Sequence, residues 1–200
     1  TDPAAISPDT LRGMDLLHLS GYALLAAPQR QAALRALDLA RQRALPVTLD
    51  TACLPALQMP DVLRHQCLPG LDACILGLPE AQAILGAGEP AAAVSALLEA
   101  GVRVAALKLG AAGCLLADGA SRCLSPAFLV DVVDTTGAGD AFSAGVIYAR
   151  LHGFSLPALG ALANALGALA ATVPGAGTAL PGRAETLAFL RCQADPSADR

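Results

Sequence analysis

The residues best suited to chemistry lie in one stretch, DTTGAGDAF, at positions 134–142. It follows the apolar run 128–133 and precedes a long apolar segment typical of a helix. Gly137 and Gly139 allow the backbone to turn sharply and approach a ligand, and free N–H groups at a helix start can hold a phosphate oxygen. Asp140 would lie in the first helical turn, where its carboxylate can accept a proton from a hydroxyl that attacks a phosphoryl group.

Helix capping explains the same stretch. Asp and Thr are good N-caps, and acidic residues favour the first turn of a helix. The spacing alone supports the capping and the phosphate-binding interpretations about equally. Two familiar nucleotide motifs are excluded: no Lys-Ser/Thr pair follows the glycines, as a Walker A loop requires, and residue 142 is Phe rather than the third glycine of a dinucleotide fingerprint.

The composition limits the partners of the chain. Its 200 residues suit one compact domain with a sizeable core, and 54% hydrophobic against 15% charged residues excludes a disordered chain. With 13 basic and 17 acidic residues and only 3% aromatics, we expect no nucleic-acid partner. Lys108 is the only lysine, which reflects either biased residue usage or a local role.

Two further features concern location. The six cysteines include no C-x-x-C pair and no metal-like pattern with His, which predicts mostly buried, reduced thiols in a cytoplasmic protein. The uncharged segment 156–173 is rich in Ala, contains Asn164 and ends at Pro174-Gly175. This composition predicts a buried packing helix and no membrane partner.

Strands and helices alternate along the chain, which predicts βαβ units, a mostly parallel sheet and a single domain over 1–200. In such sheets ligands bind beyond the carboxyl ends of the strands, so the strand-to-helix turns must position the chemistry. We predict strands at 15–21, 46–50, 73–76 and 102–109, then a hairpin from 114–117 through Asp118-Gly119. We predict helices at 28–43, 79–85, 89–100, 138–151, 156–172 and 184–192.

Residues 134–140 closely resemble the C-terminal signature of the ribokinase-like, PfkB-type carbohydrate kinases. Further blocks resemble the family in the same order: 19–22 with 47–50, 108–113, 163–165 and 174–176. The resemblance implies an α/β fold, with a mostly parallel sheet flanked by helices in a three-layer sandwich. It also implies an ATP-dependent phosphotransferase that moves the γ-phosphoryl of ATP to a hydroxyl of a sugar or related small molecule.

The family's roles pass to the matching residues. Asp140 would be the catalytic base, and the amides of Gly137, Ala138 and Gly139 would form the anion hole. Lys108, Gly110 and Gly113 would lie against the ATP phosphates, although a Lys at a strand end also has an ordinary structural explanation. Asn164 resembles a residue near the adenine, and the alternative is a helix-face amide bonded to a neighbouring loop.

The resemblance implies ATP and Mg²⁺ as cofactors, with Glu80 acting indirectly on the metal-bound phosphates. An ordinary first-turn acid is the alternative for Glu80. Asp134, Thr136 and Gly175 resemble positions that enclose a monovalent cation, so K⁺ is a possible third cofactor. Turn and capping roles explain the same three residues.

The sequence departs from the family in two places. Gly77 stands where the family's Asn-x-x-Glu motif has Asn, which keeps open a catalytically inactive nucleotide-binding or regulatory member of the fold. The family's early strands, Gly-Gly turn and sugar-covering lid have no counterpart, so we expect the C-terminal two-thirds of such an enzyme, which need not be active as a fragment. We expect the sheet to expose an apolar edge or face where the early strands belong, a tendency to aggregate, and a homodimer only in a longer protein. The sugar itself is not specified.

Overall fold

The computed structural model describes residues 2–194. Six strands form one sheet whose spatial order follows the chain, and β1 to β4 are parallel to one another. The strands are β1 Leu17–Ser20, β2 Val47–Asp50, β3 Ala73–Gly77, β4 Val104–Lys108, β5 Cys114–Ala117 and β6 Arg122–Ser125. The predicted α/β class, with a largely parallel sheet flanked by helices, is confirmed.

Burial explains the strand pattern. β2 is buried at every position, and β3 and β4 are buried at all but their last residue, as expected of short apolar runs in the middle of a parallel sheet. β1 is an edge strand in which His18 and Ser20 are exposed. The prediction of a buried strand at 15–21 was therefore too long and wrong about its outer residues.

The helices agree closely with the predicted ones. They are α1 Gln29–Gln42, α2 Cys53–Gln58, α3 Pro60–Val62, α4 Leu78–Leu85, α5 Pro90–Glu99, α6 Ala138–Leu151, α7 Leu156–Ala170 and α8 Arg183–Ala194. Gly86 ends α4 in the left-handed conformation at φ +70°, which glycine adopts readily. The sequence did not predict α2, α3 or the π-helical turn Leu63–Cys67, because Pro55 and Pro60 give this short segment the composition of a loop.

The chain divides into two compact units. The first comprises Thr1–Leu109 and Leu115–Arg122, and the second comprises Gly110–Cys114 and Cys123–Arg200. In the first unit α1 packs on β1 and β2, α4 on β3, and α5 on β4. These contacts enclose a Leu- and Ala-rich core, which includes Leu37, Leu49 and Leu107.

In the second unit α6 packs closely along α7. A Cβ at Gly145 of α6 would lie 2.7 Å from the Cα of Ala163 of α7, so only glycine permits this approach. The segment 156–173 thus forms the predicted packing helix. No single described helix is long and apolar enough to cross a membrane, and α4 and α5 reach that hydropathy only together, across a 49° bend.

Large apolar side chains are exposed in the second unit along 124–133. Leu124, Leu129, Val132 and Val133 expose 66%, 96%, 64% and 62% of their surface. No strand forms over 126–133, although the run is apolar. Only Leu124 belongs to a strand, so this segment does not test the expectation of an apolar edge or face of the sheet.

The cysteines follow the prediction only in part. All six are free thiols, of which Cys67, Cys74 and Cys114 are buried, whereas Cys123 is half-buried and Cys53 and Cys192 are exposed. Burial raises the pKa of Cys67 to about 11 and that of Cys114 to about 12. The buried thiols are therefore poor nucleophiles, since the thiolate is the reactive form.

Candidate active site

The first turn of α6 leaves polar groups without partners. Gly137 precedes the helix in the left-handed conformation, at φ +79°, where a side chain would be strained. The amides of Gly137, Gly139 and Asp140 donate to no other group among residues 2–194. The Asp140 carboxylate is exposed and likewise has no hydrogen-bond partner in this range. This turn therefore presents three donors and one acceptor to solvent at the positive end of a 14-residue helix.

One of the predicted anion-hole donors is used elsewhere. The amide of Ala138 donates to the carbonyl of Thr135 at 3.1 Å, within the turn that leads into the helix. The resemblance assigned this amide to the anion hole, and in the structure its hydrogen is engaged inside the turn. The Asp140 amide, which the sequence analysis did not consider, takes its place among the free donors.

Asp134 fastens two loops of the second unit to each other. Its Oδ1 accepts hydrogen bonds from the Thr136 amide at 2.9 Å and the Thr136 hydroxyl at 2.7 Å, and its Oδ2 accepts one from the Gly175 amide at 2.8 Å. These hydrogen bonds lower the pKa of Asp134, and the bond from the Gly175 amide has the largest effect. The structure thus brings together the three residues that the resemblance assigned to a monovalent cation, but their mutual hydrogen bonds account for the arrangement.

The turn Gly110–Ala112 and the residue after it are tightly packed on one side. The Gly113 amide donates to the Gly110 carbonyl at 2.9 Å. A Cβ at Gly113, which has φ +93°, would lie 2.1 Å from the Ser125 carbonyl oxygen and 2.5 Å from the Ala127 nitrogen. Gly110 has φ +60° but open space around its Cα. Gly113 is therefore required by packing, whereas Gly110 is required only by its backbone angle.

Asn164 on α7 anchors the same loop from the other side. Its Nδ2 donates to the Ser125 carbonyl at 3.0 Å, the Ser125 hydroxyl at 3.1 Å and the Pro126 carbonyl at 2.9 Å. The side chain is buried. These contacts favour the helix-face amide bonded to a loop over a residue that meets the adenine.

Lys108 lies in the first unit and is paired. It ends β4, and its Nζ donates to Asp50 Oδ2 at 3.0 Å and Oδ1 at 3.2 Å. Asp50 ends β2, and β3, which ends at Gly77, lies between these strands. The two charged side chains therefore meet across β3, at the carboxyl edge where ligands of parallel sheets bind.

Glu80 occupies the space beside Gly77. It lies in the first turn of α4 and is 6% exposed. Its carboxylate makes no hydrogen bond to any residue in 2–194. A Cβ at Gly77 would lie 2.7 Å from Glu80 Oε2. The carboxylate thus lies where a side chain at position 77 would begin, so the family's Asn would displace it.

The Glu80 carboxylate is relevant to the Mg²⁺ ion that the family resemblance implies. No group of three or more His, Cys, Asp or Glu among residues 2–194 could form a metal cage. A magnesium ion carried by nucleotide phosphates needs only one or two carboxylates and several waters. Glu80, nearly buried and without a partner in the described chain, fits that requirement.

The predicted residues thus divide between the units. The second unit holds Asp140, the glycines of both loops, Asn164 and the Asp134 cluster, and the first unit holds Lys108 and Glu80. Sequence reasoning missed Asp50. The available signal was a charged residue at the end of a buried strand. One strand separates it from the strand that ends in the only lysine.

Comparison with known proteins gives consistent matches. A model of the family described as pfkB family carbohydrate kinase matches residues 4–183. A sugar kinase of Archaeoglobus fulgidus, itself uncharacterized, is 40% identical over 67 residues, which are 34% of this chain and 27% of that protein.

Two solved structures share the fold. An Escherichia coli protein described as ribokinase II, in complex with ATP and Mg²⁺, has a TM-score of 0.86 at 24% identity, over 95% of this chain and 63% of its own. Aminoimidazole riboside kinase of Salmonella enterica, complexed with aminoimidazole riboside and an ATP analog, has a TM-score of 0.79 at 28% identity, over 94% of this chain and 66% of its own. The chain thus spans less than two-thirds of the length of these proteins.

Proposed function

The chain belongs to the pfkB family of carbohydrate kinases, and we propose that its protein transfers the γ-phosphoryl group of ATP to a hydroxyl of a sugar or related small molecule. One observation carries the proposal: at the start of α6, the exposed Asp140 carboxylate stands beside amides, and within residues 2–194 neither the carboxylate nor these amides have a partner. Charge that develops on a transferring phosphoryl group is stabilised by such preorganised donors.

In the proposed reaction Asp140 accepts the proton of the attacking hydroxyl. Its carboxylate has no partner to release among the residues that the structure describes. The amides of Gly137, Gly139 and Asp140 hold phosphoryl oxygens while the bond to the leaving ADP breaks. The Ala138 amide has no part in this step, because it is bonded to Thr135.

The ATP phosphates lie, in this proposal, against the backbone of Gly110 and Gly113 and the ammonium group of Lys108. Glu80 would bind waters of a Mg²⁺ ion carried by the phosphates, and that ion would supply positive charge to the triphosphate. The proposed mechanism includes no potassium ion, because hydrogen bonds already engage both carboxylate oxygens of Asp134.

An inactive nucleotide-binding or regulatory protein is the second candidate, and Gly77 in place of Asn favours it. The Asp140 carboxylate argues against this candidate, because a protein that only binds nucleotide needs no base. A coupled ADP-release assay over a panel of sugars, together with calorimetric titration of ATP, separates the two. ATP binding without ADP release for any sugar would favour the regulatory protein.

Asp140→Asn tests the assignment of the base in the complete protein that contains this chain. We expect kcat to fall by about a thousandfold, as for removal of a general base, while the affinity for ATP and the melting temperature stay near their original values. Asp131→Asn is the matched control, since Asp131 is an exposed carboxylate of the same unit outside the first turn of α6. Turnover of Asp140→Asn close to that of the control would contradict the assignment.

A further inference from the structure

The ion pair of Lys108 with Asp50 is much less exposed than the pair of Arg12 with Asp9. The exposed fractions of the two side chains are 25% for Lys108 and 11% for Asp50. Both carboxylate oxygens lie within hydrogen-bond distance of Nζ. Asp50 Oδ1 also accepts a hydrogen bond from the Ala52 amide at 3.1 Å, which fixes the carboxylate to the backbone that follows β2.

Stability alone gives weak grounds for such a pair. Removing two charges from water costs about as much as their attraction returns, and apolar residues of similar volume often serve as well. The residue before each partner in its strand is apolar and fully buried: Leu49 precedes Asp50 and Leu107 precedes Lys108. The only lysine of the chain therefore lies at a position, the end of β4, where stability does not require a charge.

The geometry leaves the ammonium group able to bind an anion. An ammonium has three donors, and one carboxylate occupies at most two of them. Lys108 keeps more exposure than Asp50, so the open side of the pair is the lysine. Gly77 lies beside Lys108 in the strand register and carries no side chain of its own, and the Glu80 carboxylate lies in the space beside it.

We propose that Asp50 is a positioning residue that holds Lys108 in the conformation in which it meets the nucleotide phosphates. The inference rests on the proposed function, which assigns Lys108 to those phosphates. A free lysine side chain has many rotamers, and ordering it during binding weakens binding. Asp50 orders the side chain before the nucleotide arrives.

A double-mutant cycle in the complete protein tests this inference. ATP affinity is measured by calorimetry for the unchanged protein, Asp50→Asn, Lys108→Met and the double variant. We expect Asp50→Asn to raise the Kd for ATP by about fivefold to tenfold, the effect of one long side chain that must be ordered on binding. In the Lys108→Met background the same substitution is expected to leave the Kd unchanged.

Each other outcome has a definite meaning. An equal loss of affinity in both backgrounds, or no loss with Lys108 present, would overturn the positioning role and leave the proposed function standing. If Lys108→Met binds ATP as tightly as the unchanged protein, the phosphate role of Lys108 is overturned, and this inference with it. If the unchanged protein binds no ATP, the proposed function itself fails.

A second measurement does not depend on the folding of any Asp50 variant. Lysine labelled with ¹³C at Cε gives a resonance for Lys108 that is assigned by its loss in Lys108→Met. We expect this resonance to shift on addition of ATP, while the nuclear Overhauser contact between the Lys108 ε-methylene and the Asp50 β-methylene persists. Loss of that contact in the ATP complex would overturn the inference, because a residue that releases Lys108 does not position it.

Discussion

Two regions of the second unit use their polar groups in opposite ways. In the first turn of α6, three amides and the Asp140 carboxylate have no partner among the described residues. Where Gly113 contacts residues 125–127, by contrast, backbone atoms approach so closely that no Cβ fits at Gly113. Asn164 uses its amide nitrogen on three acceptors of the same loop.

This difference in hydrogen bonding distinguishes the residues of the family motifs that stabilise the fold from those that are available for chemistry. Polar groups that are satisfied inside the protein stabilise it and have little left to offer a substrate. Unsatisfied groups at an exposed helix start contribute little to stability but are available for binding. Substitutions in the packed loop should therefore lower stability, and substitutions in the first turn of α6 should lower turnover.

The largest expected effect on stability is that of Gly113→Ala. The substitution places a Cβ against the Ser125 carbonyl and forces an unfavourable φ, and we expect a loss of about 4 kcal/mol from overpacking and backbone strain combined. Urea denaturation measures this loss. Gly110→Ala is the matched control, because its Cβ meets open space, and it should cost only about 1 kcal/mol for its positive φ. Equal losses of unfolding free energy in the two variants would contradict the claim that close packing excludes a side chain at Gly113.

Asn164→Ala is expected to have the next largest effect. It leaves the Ser125 and Pro126 carbonyls without their donor and should cost about 2 kcal/mol of unfolding free energy. The ratio of the Kd values for ATP and GTP should not change, because the amide faces the loop. A changed ratio with little loss of stability would instead place Asn164 at the nucleotide base.

The smallest expected effect concerns pH and Asp134. Hydrogen bonds from Gly175 and Thr136 lower the pKa of this carboxyl in the folded protein. A lowered folded-state pKa adds stability that is fully present above the pKa of the unfolded chain and is lost as the pH falls through the folded-state value. The melting temperature of Asp134→Asn should therefore fall less than that of the unchanged protein between about pH 5 and pH 3. Parallel curves for the two proteins would show that Asp134 does not contribute in this way.

Much of the fold was predictable from local patterns. The long helices have apolar residues at helical spacing, so α6 was predicted with its observed bounds, Ala138–Leu151. The short helices α2 and α3 were missed because prolines obscure their pattern. Residues 126–133 have the composition of a strand but form none, since a strand depends on a partner that lies elsewhere in the chain.

The candidate site was predictable only in its residue types. The glycines and Asp140 stand out in the sequence because the conformation and charge of a helix start depend on neighbouring residues. Which amides remain free was not predictable, since the bond from Ala138 to Thr135 is a detail of the turn geometry. Nor could the sequence distinguish an adenine contact from a loop anchor at Asn164.

By itself, then, the sequence determined the class of fold, the helix start that carries Asp140 and the family to which the chain belongs, because each depends on local pattern and contiguous motifs. Only the tertiary structure decided that Asp50 meets Lys108, that Glu80 lies over Gly77, and that Asp134 binds Gly175. Those pairs join residues that lie on different elements, or that face each other across a turn. Their distances depend on how strands align and loops pack, which local preference does not fix.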